Sequence, residues 1–149
     1  MATNFVDIIG DKGVRIGDRK SLLEKIFKCD APKAGTSAFL IFNVKGLRTA
    51  IRDVAVKINN VRVGSIRRYP GVNSDYYFTQ MIGFSGSKLN DGENELQIQA
   101  VTYPGTKVDD VYDDFTLKNV ICFYHQAEGA SIAKRKATTP KRSRTPRPR

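Results

Sequence analysis

Residues 54–64 read VAVKINNVRVG, and this stretch decides the fold class of the chain. Apolar residues stand at every second position of its first half, which predicts a β-strand over residues 53–59 with one face turned inward. The Asn59-Asn60 pair accepts the left-handed backbone that a tight hairpin turn needs. A second strand is then predicted over residues 61–66, so the stretch is a β-hairpin.

The same period-two alternation recurs on both sides of this hairpin, in short segments separated by turn residues. In residues 37–45, for example, Leu40, Phe42 and Val44 share one face. The remaining predicted strands are residues 4–9, 76–84, 95–101 and 115–124. Seven strands at regular spacing predict an all-β protein, an antiparallel β-sandwich of two sheets.

One segment departs from the alternation. Residues 19–28 place Leu22, Leu23, Ile26 and Phe27 at helical spacing. We therefore expect one short helix here, covering an end of the sandwich.

The charge of the chain is concentrated at its C-terminal end. The net charge is +10 over 149 residues. Residues 1–126 carry 17 Lys/Arg against 14 Asp/Glu, whereas residues 127–149 carry 8 Lys/Arg against one Glu. Because residues 127–149 also contain few apolar side chains, they cannot offset the entropy cost of ordering. We predict a β-sandwich domain over residues 1–126 and a disordered basic tail over residues 127–149.

Three stretches carry a resemblance to a known fold: residues 54–64, residues 89–98 (LNDGENELQI) and residues 113–120 (DDFTLKNV). Together they resemble the galactose-binding-like jelly-roll fold, which is found in many carbohydrate-binding modules and glycosidase accessory domains. In the second stretch Gly92 permits the turn and Asn94 can bridge backbone groups across it. The resemblance implies the fold and a non-catalytic binding role, with carbohydrate as one possible ligand.

The sequence offers little for catalysis, and we expect no enzyme activity. The single histidine, His125, ends the last predicted strand beside the tail. No nucleophile elbow, phosphate loop or zinc-ligand spacing is present in the sequence.

Aromatic and basic residues beside the predicted loops are candidates for a carbohydrate site. Sugar rings stack on flat aromatic faces, and their hydroxyls need polar partners. The candidate residues are Arg67, Arg68, Tyr69, Asn73, Tyr76, Tyr103 and Tyr112. The alternative is that the tyrosines pack over the ends of the sandwich with their hydroxyls in water.

An acidic cluster precedes the last predicted strand and consists of Asp109, Asp110, Asp113 and Asp114. One interpretation is a solvated loop. The other is a calcium site, because calcium takes several oxygen ligands. Domains with the resembled fold often hold a structural calcium near the start of the last strand, which makes Asp113 and Asp114 the candidate ligands.

The two cysteines, Cys29 and Cys122, are expected to be reduced, buried thiols, with a disulfide as the alternative. The N-terminus lacks the basic and apolar regions of a secretory signal, and the longest apolar runs, residues 38–42 and 120–124, are too short to cross a bilayer. We therefore expect a cytoplasmic or particle-associated protein without a membrane partner.

The tail predicts a different kind of partner. Its cations are Lys134, Arg135, Lys136, Lys141, Arg142, Arg144, Arg147 and Arg149. Cations placed against phosphates release counterions, so the tail could bind nucleic acid or another polyanion. It could equally be a solubilising or targeting extension.

Two functional hypotheses remain open. The first is a non-catalytic binding or interaction module that contacts a protein partner or a ligand, with carbohydrate as the candidate ligand. The second is a structural component of a particle or virion that contacts copies of itself, forming a homo-oligomer, and whose tail contacts nucleic acid.

Overall fold

The computed structural model describes residues 2–48, 53–71, 75–102 and 111–128, which form nine strands and one short 3-10 helix. The strands are β1 Ala2–Ile9, β2 Val14–Ile16, β3 Leu22–Cys29, β4 Ser37–Lys45, β5 Val54–Ile58, β6 Val61–Ile66, β7 Phe78–Ser85, β8 Gly92–Gln99 and β9 Phe115–Gln126. The 3-10 helix is Gly86–Lys88.

The described strands form two antiparallel sheets that face each other. The five-stranded sheet has the order β1-β9-β4-β7, with β2 also paired to β9, and the four-stranded sheet has the order β3-β8-β5-β6. Neighbouring strands in each sheet are mostly distant in sequence, so short turns do not set their pairing. Their register is set instead by the burial of one face of every strand. The predicted two-sheet β-sandwich is confirmed.

The core lies between the sheets and is built from the inward positions of both. Leu40 and Leu117 enter it from the five-stranded sheet, and Leu23, Val56 and Leu96 enter it from the four-stranded sheet; all are buried. Each strand contributes every second residue, so the alternation read from the sequence is the packing pattern of the core.

The predicted hairpin is present, and its turn is linked to a second predicted turn. Asn59 and Asn60 have φ of 51° and 64°, the left-handed conformation that the turn requires. The side-chain amide of Asn59 donates to the Asn94 side-chain oxygen at 2.8 Å, and its own oxygen accepts from the Glu95 N–H at 3.0 Å. Two of the three stretches that carry the fold resemblance are therefore in direct contact.

The predicted helix over residues 19–28 is wrong. Leu22–Cys29 is strand β3, paired with β8 from Leu22↔Gln99 to Cys29↔Gly92. The reason is Lys25, a charged residue at an inward position of an edge strand, where only its aliphatic stem needs to be covered. Lys25 interrupts the apolar alternation, so the remaining apolar residues imitate helical spacing.

Other differences concern strand boundaries. Strand β2 was not predicted, because three residues between Gly13 and Gly17 are too few to show a period. Strand β7 begins at Phe78 rather than at residue 76, and β8 is Gly92–Gln99 rather than residues 95–101.

The two cysteines are buried and free, as expected, and they face each other from the two sheets. A hydrogen bond with Cys29, together with burial, raises the pKa of the Cys122 thiol. Both effects favour the protonated thiol.

Candidate functional site

One end of the sandwich gathers four connecting segments, and we call it the loop end. Its described residues are 17–21, 46–48, 53, 67–71, 75–77, 100–102 and 111–114. They follow or precede strand ends that are paired or adjacent across the sheets. Three register pairs define this end: Ile16↔Phe115, Leu22↔Gln99 and Val54↔Ile66. The described residues among the predicted carbohydrate and calcium candidates all belong to the loop end.

Asp113 ties two of these segments together. Its side chain is buried, and its Oδ2 accepts a hydrogen bond from the Arg48 backbone N–H at 2.8 Å. Its own backbone N–H donates to the Val101 carbonyl at 2.8 Å. A buried carboxylate is tolerated only when such donors satisfy it, so Asp113 holds the start of β9 against the β4–β5 connection.

Asp114 holds a third segment. Its Oδ2 accepts from the Arg15 guanidinium at 2.6 Å and its Oδ1 accepts from the Asp18 backbone N–H at 2.8 Å. Partial burial raises the pKa of Asp114, but the bonds from Arg15 and Asp18 and the nearby charges of Arg15 and Arg19 lower it by more. The carboxylate is therefore held ionised. Gly17 is required here, because a Cβ at that position would overlap the carboxylate.

These bonds bear on the predicted calcium site. The carboxylates of Asp113 and Asp114 face N–H donors, and among residues 2–48, 53–71, 75–102 and 111–128 no group of three or more His, Cys, Asp or Glu side chains could hold a metal. The carboxylates of the described residues thus do not form a cluster of three or more at this place. Asp109 and Asp110 lie outside the described residues, and the calcium site stays a prediction.

A polar cavity of about 320 Å³ opens at the loop end. Three cationic residues line it, Arg15, Lys45 and Arg48, together with the carboxylates of Asp75 and Asp114. Since Arg15 is paired with Asp114, Lys45 and Arg48 stand against the one remaining carboxylate, Asp75, and the lining has one positive charge in excess.

Two adjacent tyrosines stand beside this cavity. Tyr76 is 64% exposed, and Tyr77 is also exposed. The Tyr77 ring lies under two ammonium groups, with Lys118 Nζ 4.0 Å and Lys45 Nζ 5.3 Å from its centroid. These are cation–π distances, and they fix Lys45 between the Tyr77 ring and the cavity.

The other predicted carbohydrate residues are spread over the loop end rather than gathered in this cavity. Tyr69 is half-buried, with its ring centroid 5.3 Å from that of Phe78 and the two rings inclined by 62°, and Tyr112 is half-buried against the core. Arg67 is exposed, and both its backbone groups bond the Gln80 side-chain amide, at 2.9 and 2.7 Å. Arg68 is exposed. Asn73 and Tyr103 lie outside the described residues.

Lys45, Arg48 and Tyr77 were missed by the sequence reasoning. The only sequence signal for Tyr77 was the adjacent pair Tyr76-Tyr77, of which Tyr76 alone was selected as a carbohydrate candidate. Lys45 and Arg48 read as ordinary solvated cations, because nothing local shows that β4 ends next to the start of β7 and of β9.

Two further sequence predictions concern regions away from the loop end. His125 lies at the opposite end of β9, so it cannot act on a ligand at the loop end. Its Nδ1 has no hydrogen-bond partner among the described residues. The tail cations, Lys134 to Arg149, lie outside the described residues, and polyanion binding stays a prediction. The described residues contain no helix of the length and hydropathy that a bilayer crossing needs.

Comparison with known proteins identifies the fold. No protein-family profile matches the chain, and no curated protein matches it in sequence. Its structure is similar to the native family 35 carbohydrate-binding module from Clostridium thermocellum, with 14% identity and a TM-score of 0.50 over 83% of this chain and 99% of that one. It is also similar to part of a β-porphyranase of glycoside hydrolase family 86 from the human gut bacterium Bacteroides plebeius, with 13% identity and a TM-score of 0.52.

The second similarity covers 83% of this chain but 20% of the porphyranase. At these identities the similarity concerns the fold alone. The chain has the β-sandwich fold of carbohydrate-binding modules, and the resemblance predicted from residues 54–64, 89–98 and 113–120 is confirmed at that level.

Proposed function

We propose that this chain is a non-catalytic glycan-binding module and that its ligand site is the loop end. The fold is shared with a protein described as a carbohydrate-binding module, and that similarity supports the class of ligand. The observation that carries the proposal is the cavity lined by Lys45 and Arg48 beside the exposed ring of Tyr76.

The chemistry of the loop end suits a sugar. A pyranose has an apolar C–H face that stacks on an aromatic ring and hydroxyl groups that need both donors and acceptors. Arg48 offers donors and Asp75 offers carboxylate acceptors in the cavity lining, and Tyr76, next to Asp75 in the chain, offers the exposed ring. Asp113 holds the Arg48 backbone and Asp114 holds the Arg15 side chain, which reduces the ordering cost of binding.

The charge of the cavity narrows the ligand to acidic saccharides. After Arg15 is paired with Asp114, the two cations Lys45 and Arg48 exceed the remaining carboxylate, Asp75, by one charge. A guanidinium binds carboxylate and sulfate groups through two parallel hydrogen bonds, and an ammonium adds a point charge. We therefore expect uronic-acid or sulfated glycans to bind better than neutral ones, and the preference to weaken as salt is added.

A glycan array that contains matched neutral, uronic-acid and sulfated oligosaccharides tests this proposal. The wild-type chain is compared with Tyr76→Ala, with Arg48→Ala and with Lys57→Ala, whose side chain is exposed on the outer face of β5, far from the cavity. We expect acidic ligands to bind, each of the first two substitutions to weaken binding about tenfold or more, and Lys57→Ala to have no effect. Silence across the array, or equal losses in all three variants, would refute the proposal.

A further inference from the structure

The outer face of the five-stranded sheet is apolar at its centre. The strand register places Phe5, Phe123, Phe39 and Gly83 side by side in one row across β1, β9, β4 and β7. The next row holds Asp7, Ile121, Ile41 and Met81. We call the six large apolar residues of these rows the apolar face: Phe5, Phe39, Ile41, Met81, Ile121 and Phe123.

This composition is not that of an ordinary solvated sheet face. Antiparallel sandwiches usually alternate apolar residues inward with polar residues outward. The four-stranded sheet is closer to that rule: Glu24, Gln97 and Lys57 form a row across its outer face, and the exposed apolar residues Leu22 and Ile26 lie on its edge strand β3. In the five-stranded sheet, by contrast, the central strands β4 and β9 are apolar on both faces, which is typical of strands covered on both sides. These are the two longest apolar runs of the sequence.

Some of the apolar face is fully accessible. Phe5 is 63% exposed and Met81 is 62% exposed, and the Phe5 and Phe123 rings lie 6.0 Å apart, tilted by 37°. Gly83 leaves the face flat beside the Phe39 ring. A contiguous apolar surface of this kind marks an interaction site when polar residues surround it.

Polar residues do surround it. At one end of the strands, the outward positions are Thr3, Ser37, Ser85 and His125. At the other end they are Asn43, Thr79 and Lys118, with Thr79 donating to the Asn43 side-chain oxygen at 2.7 Å. An apolar centre with a polar rim is the general anatomy of a protein–protein interface.

We propose that the apolar face binds the same face of a second copy of this chain, so that the two five-stranded sheets pack face to face. Sheets pack in this way about 10 Å apart, with their inner side chains interdigitated. The centre of the face offers no hydrogen-bonding side chain to a sugar hydroxyl, since Asp7 stands at its β1 edge. Its partner is therefore an apolar surface, and the face itself is one of matching size and shape.

The rim charges select the orientation of the pair. Lys45 and Lys118 lie at one end of the strands, and the opposite end carries neutral serine and threonine side chains. A two-fold axis across the strands brings the lysine end of one copy over the serine end of the other. A two-fold axis along the strands would instead bring lysines of the two copies together, which is unfavourable.

The size of the face sets the strength of the dimer. Across four strands about 4.8 Å apart, the two apolar rows, about 6.8 Å apart, cover about 260 Å², and the polar row at each end brings the footprint of the sheet face to about 520 Å². Stable complexes bury about 800 Å² per partner. The dimer is thus reversible and concentration-dependent. Lys45 lies both in the cavity lining and at the rim of the face, whereas Met81 and Phe5 do not line the cavity, so substituting them leaves the glycan site intact.

Sedimentation equilibrium of the full chain over a concentration series, at about 0.3 M salt to screen its charges, tests the proposal. We expect a monomer–dimer equilibrium whose dissociation constant rises about tenfold or more in Met81→Lys and in Phe5→Lys. The matched control is Ile26→Lys on the outer face of β3, because Ile26 is 61% exposed and lies on the other sheet. It should leave the equilibrium unchanged.

Two results would overturn the proposal: a wild-type chain that stays monomeric at every concentration, or an Ile26→Lys variant that weakens association as much as Met81→Lys. Circular dichroism identical to that of the wild type shows that each variant is folded. Binding of an acidic oligosaccharide by Met81→Lys separates the two proposals, because it should be unchanged whether or not the dimer forms.

Discussion

Asn94 is a buried polar side chain whose oxygen and nitrogen both take part in hydrogen bonds. It is 2% exposed, its Oδ1 accepts from the Asn90 N–H at 2.7 Å, and its Nδ2 donates to the carbonyls of Asn90 and Gly92 at 3.0 Å each. The bridging role of Asn94 was predicted from the sequence, because its spacing from Gly92 is a local signal. Its contact with Asn59, 35 residues away in sequence, was not.

Replacing Asn94 should therefore be costly. We expect Asn94→Ala to lower the free energy of unfolding by about 2–4 kcal/mol, because it leaves several buried backbone and side-chain groups without partners. Urea denaturation measures the loss. Gln97→Ala, on the outward face of the same strand, is the control and should change stability by about 0.5 kcal/mol or less. Equal effects in the two variants would mean that the Asn94 bonds do not stabilise the turn.

Asp114 should make stability depend on pH. Its pKa is lower in the folded chain than in the unfolded chain, so the carboxylate stabilises the fold above its unfolded pKa of about 4. This contribution is lost as the pH falls through the lower, folded-state pKa. We expect Asp114→Asn to be less stable than the wild type at neutral pH and equally stable near pH 2, as measured by urea midpoints.

The matched control for Asp114 is Asp11→Asn, in the exposed turn between β1 and β2. A deficit in Asp114→Asn that persisted unchanged at low pH would contradict the role of the ionised carboxylate.

At the scale of elements, the strands with clean alternation could be predicted, and β3 could not. In β4 and β5 every inward position is apolar, and both strands lie where the sequence places them. In β3 the inward Lys25 makes helix and strand indistinguishable by periodicity, and the choice depends on pairing with β8, more than 60 residues away. Local propensity carries no information about the pairing of strands that are distant in sequence.

A pair of substitutions distinguishes the strand from a helix at β3. A helix with one apolar face would bury both Leu23 and Ile26, whereas the strand buries Leu23 and exposes Ile26. We expect Leu23→Ala to lower the free energy of unfolding by about 2–5 kcal/mol and Ile26→Ala by less than about 1 kcal/mol. Thermal or urea unfolding measures both, and losses of similar size would contradict the structure of β3.

For the whole molecule, the sequence was sufficient for the fold class and insufficient for the site. Alternating apolar residues require two facing sheets. The turn residues of the hairpin and of residues 89–98 favour a sandwich of the galactose-binding-like type. The cavity, however, combines Arg15 in β2, Lys45 at the end of β4, Arg48 after β4, and Asp114 before β9. Only the strand order β1-β9-β4-β7 makes these segments neighbours. For that reason the sequence did not join Lys45 and Arg48 to the predicted tyrosines, whose role in carbohydrate binding stays a prediction.

The loop end is the proposed ligand site of this sandwich. Titration of the ¹⁵N-labelled chain with an acidic oligosaccharide, followed by amide chemical shifts, locates the site without substitutions. We expect saturable shifts concentrated at Arg15, Lys45, Arg48, Tyr76 and Tyr77. Shifts confined to the opposite end, around Asn59, Lys88 and Asp91, or the absence of any saturable shift with acidic and neutral oligosaccharides alike, would contradict the proposal.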